Sequence, residues 1–336
     1  MQQLVHKIWY QGHPAKWLLL PLSALFWLIS SIRRLGFKLG LKRQTQLPVP
    51  VIVVGNITAG GSGKTPTVLY LIALLRQHGW RPGVVSRGYG ASIEGEREVC
   101  AGMTPAEVGD EPAMIALRTG VPMVVGASRV KAAQTLLASH DVNVILCDDG
   151  LQHYQLGRDI EILVIDGERR FGNGWLIPAG PLREGLWRKN SVDFSLCNGQ
   201  NAEAGEFAMT LQPSGLLPVL PGADATPPSV CDEINAMAGI GNPQRFFSAL
   251  NAQGYKLNTA HEFADHMAYQ ASDIATIDNG LPLLMTEKDA VKCREFAKQH
   301  WWYVAVDANL PPQFSTQLLE KLSRAANAKQ GTSHGL

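Results

Sequence analysis

The residues with the clearest chemical meaning lie in 55-GNITAGGSGKTP-66, which follows an apolar run at 49–54. A glycine, a lysine and a threonine in succession, between a predicted strand and a predicted helix, are typical of a loop whose backbone N–H groups surround a phosphate. The first glycine of the usual G-x-x-x-x-G-K-S/T pattern is replaced by Thr58. Gly55, three residues earlier, is the candidate for making the backbone turn in place of that glycine. This stretch predicts a nucleotide site. A glycine-rich turn that contains G-K-T by chance is the alternative.

Each part of this loop has a chemical task. Gly60, Gly61 and Gly63 supply the flexibility with which a backbone curls around an anion. Thr65 offers a hydroxyl group to Mg²⁺, and Pro66 suits the first turn of a helix, where its missing N–H is not needed. The predicted nucleotide-binding residues are Thr58, Ala59, Gly60, Gly61, Ser62, Gly63, Lys64 and Thr65.

A nucleotide site of this kind also needs a carboxylate near its metal ion. The apolar stretch 142-VNVILC-147 ends in Asp148 and Asp149, at the carboxyl end of a predicted parallel strand, where ligands gather. One of the two carboxylates would lie near Mg²⁺, and the other would hold a water molecule or a neighbouring group. A solvated acidic turn after the strand is the alternative.

A kinase must further orient or deprotonate the hydroxyl group that accepts the phosphoryl group. Candidate carboxylates stand in 109-GDEP-112, where Asp110 and Glu111 occupy a predicted helix start; a simple helix cap is the alternative for Asp110. A GTPase would carry an N-K-x-D or T-K-x-D motif, whereas 286-TEKD-289 has its lysine displaced by one position. Guanine specificity is therefore not supported.

The composition restricts the partners and the compartment. The net charge is +1, but Lys and Arg number eleven before the first acidic residue, Glu94. A basic first quarter without acids favours contact with a polyanion, either nucleic acid or an anionic membrane face. The five cysteines form no C-x-x-C pair, so neither a disulfide framework nor a zinc site is implied, as expected in a reducing cytoplasm.

Of these two partners, the membrane is favoured over nucleic acid, because the apolar stretch 17-WLLLPLSALFWLISSI-32 carries no charge. As a helix it would measure about 24 Å at roughly 1.5 Å per residue, a little less than a hydrocarbon core of about 30 Å. It would either span the bilayer, with Lys16 and Arg33 reaching to the interface, or lie half-embedded in one leaflet. A signal peptide and a buried helix of a soluble protein are the alternatives. The basic collar that follows predicts a cytoplasmic C-terminal side; it consists of Arg33, Arg34, Lys38, Lys42 and Arg43.

Strands and helices alternate after this segment, which predicts an α/β fold: a P-loop NTPase-like, doubly wound parallel sheet, with a smaller C-terminal α/β domain and an N-terminal membrane-associated helix. The predicted strands are 49–54, 83–86, 123–125, 142–147 and 160–165. The predicted domains are a membrane-anchor helix with its basic collar at 1–45, a P-loop kinase domain at 46–212, a hinge at 213–228, the C-terminal domain at 229–326 and a disordered tail at 327–336.

The motifs taken in order resemble those of the tetraacyldisaccharide 4'-kinases, which phosphorylate the lipid A disaccharide precursor at the inner membrane. The resemblance covers nearly the whole chain, and the missing glycine at Thr58 is the family's own form of the loop. It is carried by 55-GNITAGGSGKTP-66, 86-SRGYG-90, 109-GDEP-112, 129-RVKAA-133, 148-DDGLQH-153, 178-PAGPLRE-184, 262-EFADH-266 and 286-TEKDAVK-292.

The resemblance implies ATP and Mg²⁺ as cofactors and assigns roles to the phosphate loop. Lys64 would contact the β- and γ-phosphates. Thr65 with Asp148 or Asp149 would hold Mg²⁺, and Glu111 would lie near the metal.

The same resemblance implies the groups that act on the acceptor. Asp110 would be the base for the sugar 4'-hydroxyl, partnered by His266 from the second domain, which would close to bring the two together. A merely structural histidine is the alternative for His266. Arg87, Arg129 and Arg183 would meet substrate phosphate or the transferring oxygens.

We therefore expect an ATP-dependent kinase at the cytoplasmic face of the inner membrane. Its partners would be the lipid A disaccharide precursor and an anionic membrane surface, with no nucleic acid and no obligate protein partner. A membrane-tethered P-loop NTPase switch or assembly factor is the alternative function, and it would hydrolyse nucleotide without an acceptor.

Overall fold

The computed structural model describes residues 2–100, 102–220, 222, 226–265 and 267–333. The chain divides into two compact units. Unit 1 consists of Met1–Arg87, Val121–Leu211 and Ala308–Leu336. Unit 2 consists of Gly88–Gly120 and Gln212–Asp307.

Helices and strands alternate through most of the chain. The helices are α1 Gln2–Tyr10, α2 Lys16–Lys38, α3 Lys64–Gln77, α4 Pro105–Val108, α5 Asp110–Thr119, α6 Arg129–Ser139, α7 Pro243–Ala252, α8 Ala271–Ala275, α9 Glu287–Cys293 and α10 Pro312–Ser333. The strands are β1 Val51–Gly55, β2 Pro82–Ser86, β3 Glu96–Glu98, β4 Met123–Gly126, β5 Val144–Asp148, β6 Ile160–Asp166, β7 Phe194–Asn198, β8 Phe207–Pro218, β9 Glu233–Ala238, β10 Lys256–Glu262, β11 Leu283–Thr286 and β12 Trp301–Asn309. Short 3₁₀ turns lie at Leu186–Ser191 and Arg294–Phe296.

Unit 1 is built on a parallel sheet in the order β8-β7-β6-β1-β5-β2-β4. All residues of β1 are buried, as expected for a strand covered on both faces. The chain passes from β1 outward to β2 and β4, returns to β5 beside β1, and then crosses to β6 on the other side. This order confirms the predicted doubly wound sheet. The carboxyl ends of β1 and β5 lie at its topological switch point, where the connections change from one side of the sheet to the other.

Helix α3 packs on this sheet through its apolar residues. Leu71, Ile72 and Leu75 are at most 1% exposed. Burying each side chain of this size stabilises the fold by roughly 1.5–3 kcal/mol. This packing fixes the direction of α3, whose N-terminus follows the loop after β1.

In unit 2, four strands pair in parallel in the order β10-β9-β11-β12. One apolar cluster contains Met237, Met285 and Trp301, and a second contains Phe247 and Trp302. Successive side chains of the central strands enter different clusters, because strand residues point alternately to the two faces. Unit 2 is therefore a small α/β structure with a core of its own.

The predicted kinase domain at 46–212 is not continuous, because Gly88–Gly120 belongs to unit 2. Within unit 2, Arg118 near the end of α5 donates to Glu287 at the start of α9 (2.8 Å) and to the carbonyl of Val306 (3.0 Å). Asp110 and Asp265 lie in the same unit. The predicted closure of a second domain onto Asp110 stays a prediction.

The predicted hinge and tail boundaries are also corrected. Strand β8 continues to Pro218, so it occupies the start of the predicted hinge at 213–228, of which residues 221 and 223–225 lie outside the described residues. Helix α10 crosses the predicted boundary at 327 and belongs to unit 1. Phe314 stacks edge-on against Phe194, and Lys329 pairs with Asp159 at 3.2 Å. Helix α10 therefore continues past 327, and Lys329 packs there against Asp159, so the predicted start of a disordered tail at 327 is wrong.

Candidate active site

The phosphate loop connects β1 to α3 and has the backbone shape that anion binding requires. Helix α3 begins at Lys64, so the N–H groups of its first turn have no partners within the helix. Gly60 and Gly63 have φ angles of 105° and 101°. The side-chain amide of Asn56 donates to the carbonyl of Gly60 (3.1 Å) and closes the loop on itself.

Gly63 is required by its surroundings as well as by its φ angle. A Cβ atom at this position would lie 2.8 Å from Nδ2 of Asn198 and 3.0 Å from Cε of Met209. The Asn198 amide uses this close approach to donate to the carbonyl of Ser62 (3.2 Å). The absence of a side chain thus allows β7 to support the loop directly.

Further contacts hold the loop from outside, and the sequence reasoning missed the residues that make them. The Ala59 N–H donates to the carbonyl of Pro181 (2.8 Å), and the Gln152 amide donates to the carbonyl of Asn56 (3.1 Å). The Arg169 guanidinium donates to the carbonyl of Gly61. Pro181 and Gln152 lie in motifs recognised by resemblance, whereas Arg169 had no sequence signal.

Lys64, Asp149 and Arg183 form a charged cluster beside the loop. Nζ of Lys64 lies 3.8 Å from Oδ1 of Asp149, and Nη1 of Arg183 lies 3.0 Å from Oδ2. The N–H of Arg183 also donates to the carbonyl of Ile57 (2.7 Å), so its backbone is tied to the loop. Three of the predicted site residues are therefore brought together.

The cations beside Asp149 set its charge. Burial by itself would raise the pKa of this carboxyl, but Lys64 and Arg183, and to a smaller degree Arg129, outweigh burial and hold the pKa below its usual value. Asp149 has a φ angle of 47°, a left-handed conformation that Asp and Asn tolerate better than most residues. Its backbone is thereby turned away from the direction of β5.

Asp148, the last residue of β5, has different surroundings. Its side chain is buried, and its Oδ2 accepts a hydrogen bond from the Ser86 hydroxyl at the end of β2 (3.2 Å). Among the described residues, no group of three or more His, Cys, Asp or Glu side chains could hold a metal ion. The adjacent carboxylates Asp148 and Asp149 are of the kind that holds Mg²⁺ together with substrate phosphates. The predicted Mg²⁺ site of Thr65, Asp148 and Asp149 stays a prediction.

The other predicted arginines differ in exposure. Arg129, the first residue of α6, is buried, and its Nη1 donates weakly to the carbonyl of Gly126 (3.4 Å). Its Nε has no hydrogen-bond partner among the described residues. Arg87, directly after β2, is exposed. Arg129 thus has donor capacity left for an anion.

His153 is a further ionisable group that the sequence reasoning named only within a motif. Burial is the main cause that lowers its pKa to about 4, and Arg129 and Arg158 add to the effect. Its Nε2 is buried and has no hydrogen-bond partner among the described residues. His153 is therefore a neutral imidazole at physiological pH.

In unit 2, Asp110 is the first residue of α5, and Gly109 occupies the cap position, so the helix-cap alternative for Asp110 does not hold. The φ angle of Gly109 is 96°, and a Cβ atom there would lie 2.8 Å from the carbonyl oxygen of Tyr89. Oδ2 of Asp110 lies 3.4 Å from Nζ of Lys292 on α9. Two sequence motifs, 109–112 and 286–292, thus meet here.

Lys288, one turn earlier on α9, contacts three carboxylates. Its Nζ lies 3.1 Å from Asp265, 3.5 Å from Glu111 and 3.9 Å from Asp110. Burial alone would lower the pKa of Lys288, but Glu111 and Asp265 raise it above its usual value. In the sequence, Lys288 is noticeable only as the displaced lysine of 286-TEKD-289, and Lys292 only as part of the family motif at 286–292.

His266 lies outside the described residues. Its neighbour in the chain, Asp265, is held by Lys288 as above. The predicted pairing of His266 with Asp110 thus stays a prediction.

The N-terminal helices belong to unit 1 and expose a large apolar surface. Of the residues that the structure describes, α2 is the one helix long and apolar enough to cross a membrane. Its buried Ser23 donates to the carbonyl of Leu176 (2.8 Å) and accepts from the N–H of Ala179 (3.0 Å). The exposed large apolar residues of α2 are Trp17, Leu18, Leu22, Leu25, Trp27, Leu28, Ile29, Ile32 and Leu35.

Comparison with known proteins gives a consistent result. The family model described as Tetraacyldisaccharide-1-P 4'-kinase (LpxK) matches residues 15–323. A protein named Tetraacyldisaccharide 4'-kinase from Shewanella amazonensis is 73% identical, and the match covers all of both chains. A protein of the same name from Shewanella sp. strain MR-7 is 62% identical, again over the full length of both.

A solved structure has the same fold. The crystal structure of the "apo" form of LpxK from Aquifex aeolicus in complex with ATP matches with a TM-score of 0.79 and 29% sequence identity. The match covers 92% of this chain and 99% of that one. These comparisons confirm the resemblance that the sequence motifs indicated.

Proposed function

The chain belongs to the tetraacyldisaccharide-1-P 4'-kinase family, and we propose that it transfers the γ-phosphoryl group of ATP to the 4'-hydroxyl of the tetraacyldisaccharide 1-phosphate precursor of lipid A. The observation that supports this best is the cluster of Lys64, Asp149 and Arg183 beside a glycine loop at the start of a helix. Such a cluster binds and neutralises phosphate oxygens, which is most of what phosphoryl transfer asks of a protein.

The loop residues 58–65 hold the phosphates of ATP through backbone N–H groups, and Lys64 contacts the β- and γ-phosphates. Lys64 pairs with Asp149 at 3.8 Å, a separation that leaves its ammonium available to a stronger anion. Thr65, Asp148 and Asp149 would hold Mg²⁺, and Glu111 would contribute near it. When bound, Mg²⁺ neutralises charge on the transferring phosphoryl group.

Asp110 acts as the base for the acceptor. As the 4'-oxygen bonds to the γ-phosphorus, the hydroxyl proton passes to the Asp110 carboxylate, and the bond from the γ-phosphorus to the β,γ-bridging oxygen breaks, so that ADP leaves. His266 assists by holding or moving this proton. The position of Asp110 next to Lys292 supports this role, because the ammonium 3.4 Å from Oδ2 helps to hold the carboxylate in one orientation.

The three arginines bind phosphate oxygens. Arg183 is fixed by its backbone bond to Ile57 and by Asp149. Its role is to bind oxygens of the transferring phosphoryl group. Arg129 offers its buried Nε, and the exposed Arg87 meets the substrate phosphate. Planar guanidinium groups suit this task, because they donate two parallel hydrogen bonds to one phosphate.

The enzyme acts at the cytoplasmic face of the inner membrane, with α2 lying in the interface rather than spanning the bilayer. The supporting contacts are those of Ser23 with Leu176 and Ala179, and the guanidinium of Arg34 that stacks on Trp187 at 4.1 Å. These contacts tie α2 to the rest of unit 1 at Ser23 and at Arg34, so lipid does not surround the helix on every side at these two points. The exposed basic residues Arg33, Lys38, Lys42 and Arg43 face an anionic surface.

The decisive experiment is transfer of phosphate from γ-labelled ATP to tetraacyldisaccharide 1-phosphate in detergent micelles. A labelled lipid that disappears with Lys64→Ala, but not with the surface variant Lys298→Ala, supports the kinase. Absence of labelled lipid together with rapid ATP hydrolysis in the absence of acceptor would instead support an NTPase switch. No nucleic acid and no protein partner is needed in this assay.

A further inference from the structure

Lys292 is a buried lysine whose ammonium is turned toward Asp110. Its side chain is 4% exposed, and Nζ lies 3.4 Å from Oδ2 of Asp110 and 3.6 Å from Oδ1 of Asp289. Nζ has no hydrogen-bond partner among the described residues. A buried ammonium is unfavourable unless nearby anions compensate it, so its position between two carboxylates requires a reason.

Asp289 alone does not provide that reason. Its side chain is fully buried and accepts hydrogen bonds from the N–H of Gly239 (3.0 Å), the hydroxyl of Tyr269 (2.9 Å) and the hydroxyl of Thr286 (2.6 Å). Three donors satisfy most of what a carboxylate can accept. Lys292 therefore serves Asp289 as a counter-charge only, and the second carboxylate beside its ammonium is that of Asp110.

Lys288 fixes the residues on either side of this pair. It contacts Glu111, the residue after Asp110, and Asp265, the residue before His266. Helix α9, which carries both lysines, is held to the other end of α5 by the ion pair of Arg118 with Glu287 (2.8 Å). Contacts at both ends of α5 leave Asp110 little freedom to shift relative to α9.

We propose that Lys292 is a positioning residue for phosphoryl transfer: its ammonium holds Oδ2 of Asp110 so that the carboxylate faces the acceptor hydroxyl. Lys288 performs the same task for the neighbouring segments at Glu111 and Asp265. The inference rests on the proposed function of Asp110 as the base. Its physical basis is that a misplacement of a reacting group by about 1 Å can cost about 10²-fold in rate.

The test is a double-mutant cycle with Lys292→Met, Asp110→Asn and the double variant, with kcat and both KM values measured in the micelle assay. Methionine keeps the length of the lysine stem and removes the charge. We expect Lys292→Met to lower kcat by about 10²-fold, with the KM for ATP changed less than about twofold. In the Asp110→Asn background the same substitution should have almost no further effect, because its target is gone. Lys298→Met, which removes a surface lysine paired with Asp278, is the matched control and should leave kcat unchanged.

Each contrary outcome has its own meaning. If Lys292→Met lowers kcat equally in both backgrounds, Lys292 is structural and the inference is overturned. If Asp110→Asn retains near-normal kcat, the proposed role of Asp110 itself is wrong. If Lys292→Met does not fold, Asp289→Asn is added to remove the uncompensated buried charge, and the cycle is repeated in that background with the same criterion.

Discussion

The ammonium of Lys64, the first residue of α3, lies 3.8 Å from the carboxylate of Asp149, the residue after β5. This pair connects the phosphate loop to the two adjacent carboxylates at the end of β5, Asp148 and Asp149, at the switch point of the sheet. In Asp149→Asn, Lys64 and Arg183 lose their counter-charge, while asparagine still tolerates the φ angle of 47°. We expect the fold to be retained and kcat to fall by at least roughly 10–100-fold, the loss typical of residues that only orient a metal ligand.

The measurement is initial-rate phosphoryl transfer over a range of Mg²⁺ concentrations, with thermal unfolding followed in parallel. Asp141→Asn, which removes an exposed carboxylate paired with Arg81, is the control. An Asp149→Asn variant with unchanged kcat at every Mg²⁺ concentration would exclude Asp149 from the site.

The glycine at position 63 gives a prediction about the loop. In Gly63→Ala the new methyl group meets Asn198 and Met209 within about 3 Å, and the φ angle of 101° is strained for alanine. We expect the free energy of unfolding to fall by about 1–3 kcal/mol, and the affinity for ATP to fall with it. Thermal unfolding and ATP titration measure the two effects. Gly331→Ala, where no atom lies within 4 Å, should leave both nearly unchanged, and equal behaviour of the two variants would refute the account of Gly63.

The exposed face of α2 predicts how the protein binds membranes. Leu18 and Leu25 are 82% and 53% exposed, so glutamate at both positions should not disturb packing within unit 1. Each leucine lost from the interface weakens binding by about 1.5–3 kcal/mol, which is more than tenfold. Sedimentation with vesicles that contain anionic lipid measures this effect. Leu217→Glu, an exposed leucine of unit 2, should bind vesicles as the wild type does; a similar loss with this control would mean that added charge alone is responsible.

His153 gives a prediction for pH. The pKa of His153 falls from 6.5 to about 4 in the folded protein. Between these two pH values the unfolded chain therefore binds a proton that the folded protein does not bind. The stability contributed by the neutral imidazole is therefore present above pH 6.5 and is lost as pH falls toward 4. We expect the wild type to lose more stability than His153→Gln between pH 7 and pH 4.5. The check is the difference in unfolding free energy between the two proteins at each pH, with His6→Gln as the control for removal of an exposed histidine. A difference that does not vary with pH would contradict the burial argument.

Much of unit 1 is predictable because its signals are local. The apolar strand before the glycines, the loop itself and the helix after Lys64 are contiguous in the chain, so one stretch of sequence specifies a strand, a turn and a helix. The carboxyl ends of parallel strands share one edge of a sheet, so Asp148 could be expected at the same edge as that loop. The same reasoning could not distinguish Asp148 from Asp149, because burial against Ser86 and pairing with Lys64 depend on packing.

The sequence by itself determined the class of fold, the phosphate loop, the apolar N-terminal helix and the family, since each depends on residue types at short, regular spacing. Only the tertiary structure decided that 88–120 is part of unit 2, that α10 returns to unit 1, and that Lys288 and Lys292 lie beside the motif of Asp110. The physical reason is that these relationships join segments far apart in the chain. They arise from which apolar faces and charges can be buried together, and no local pattern of residues records that.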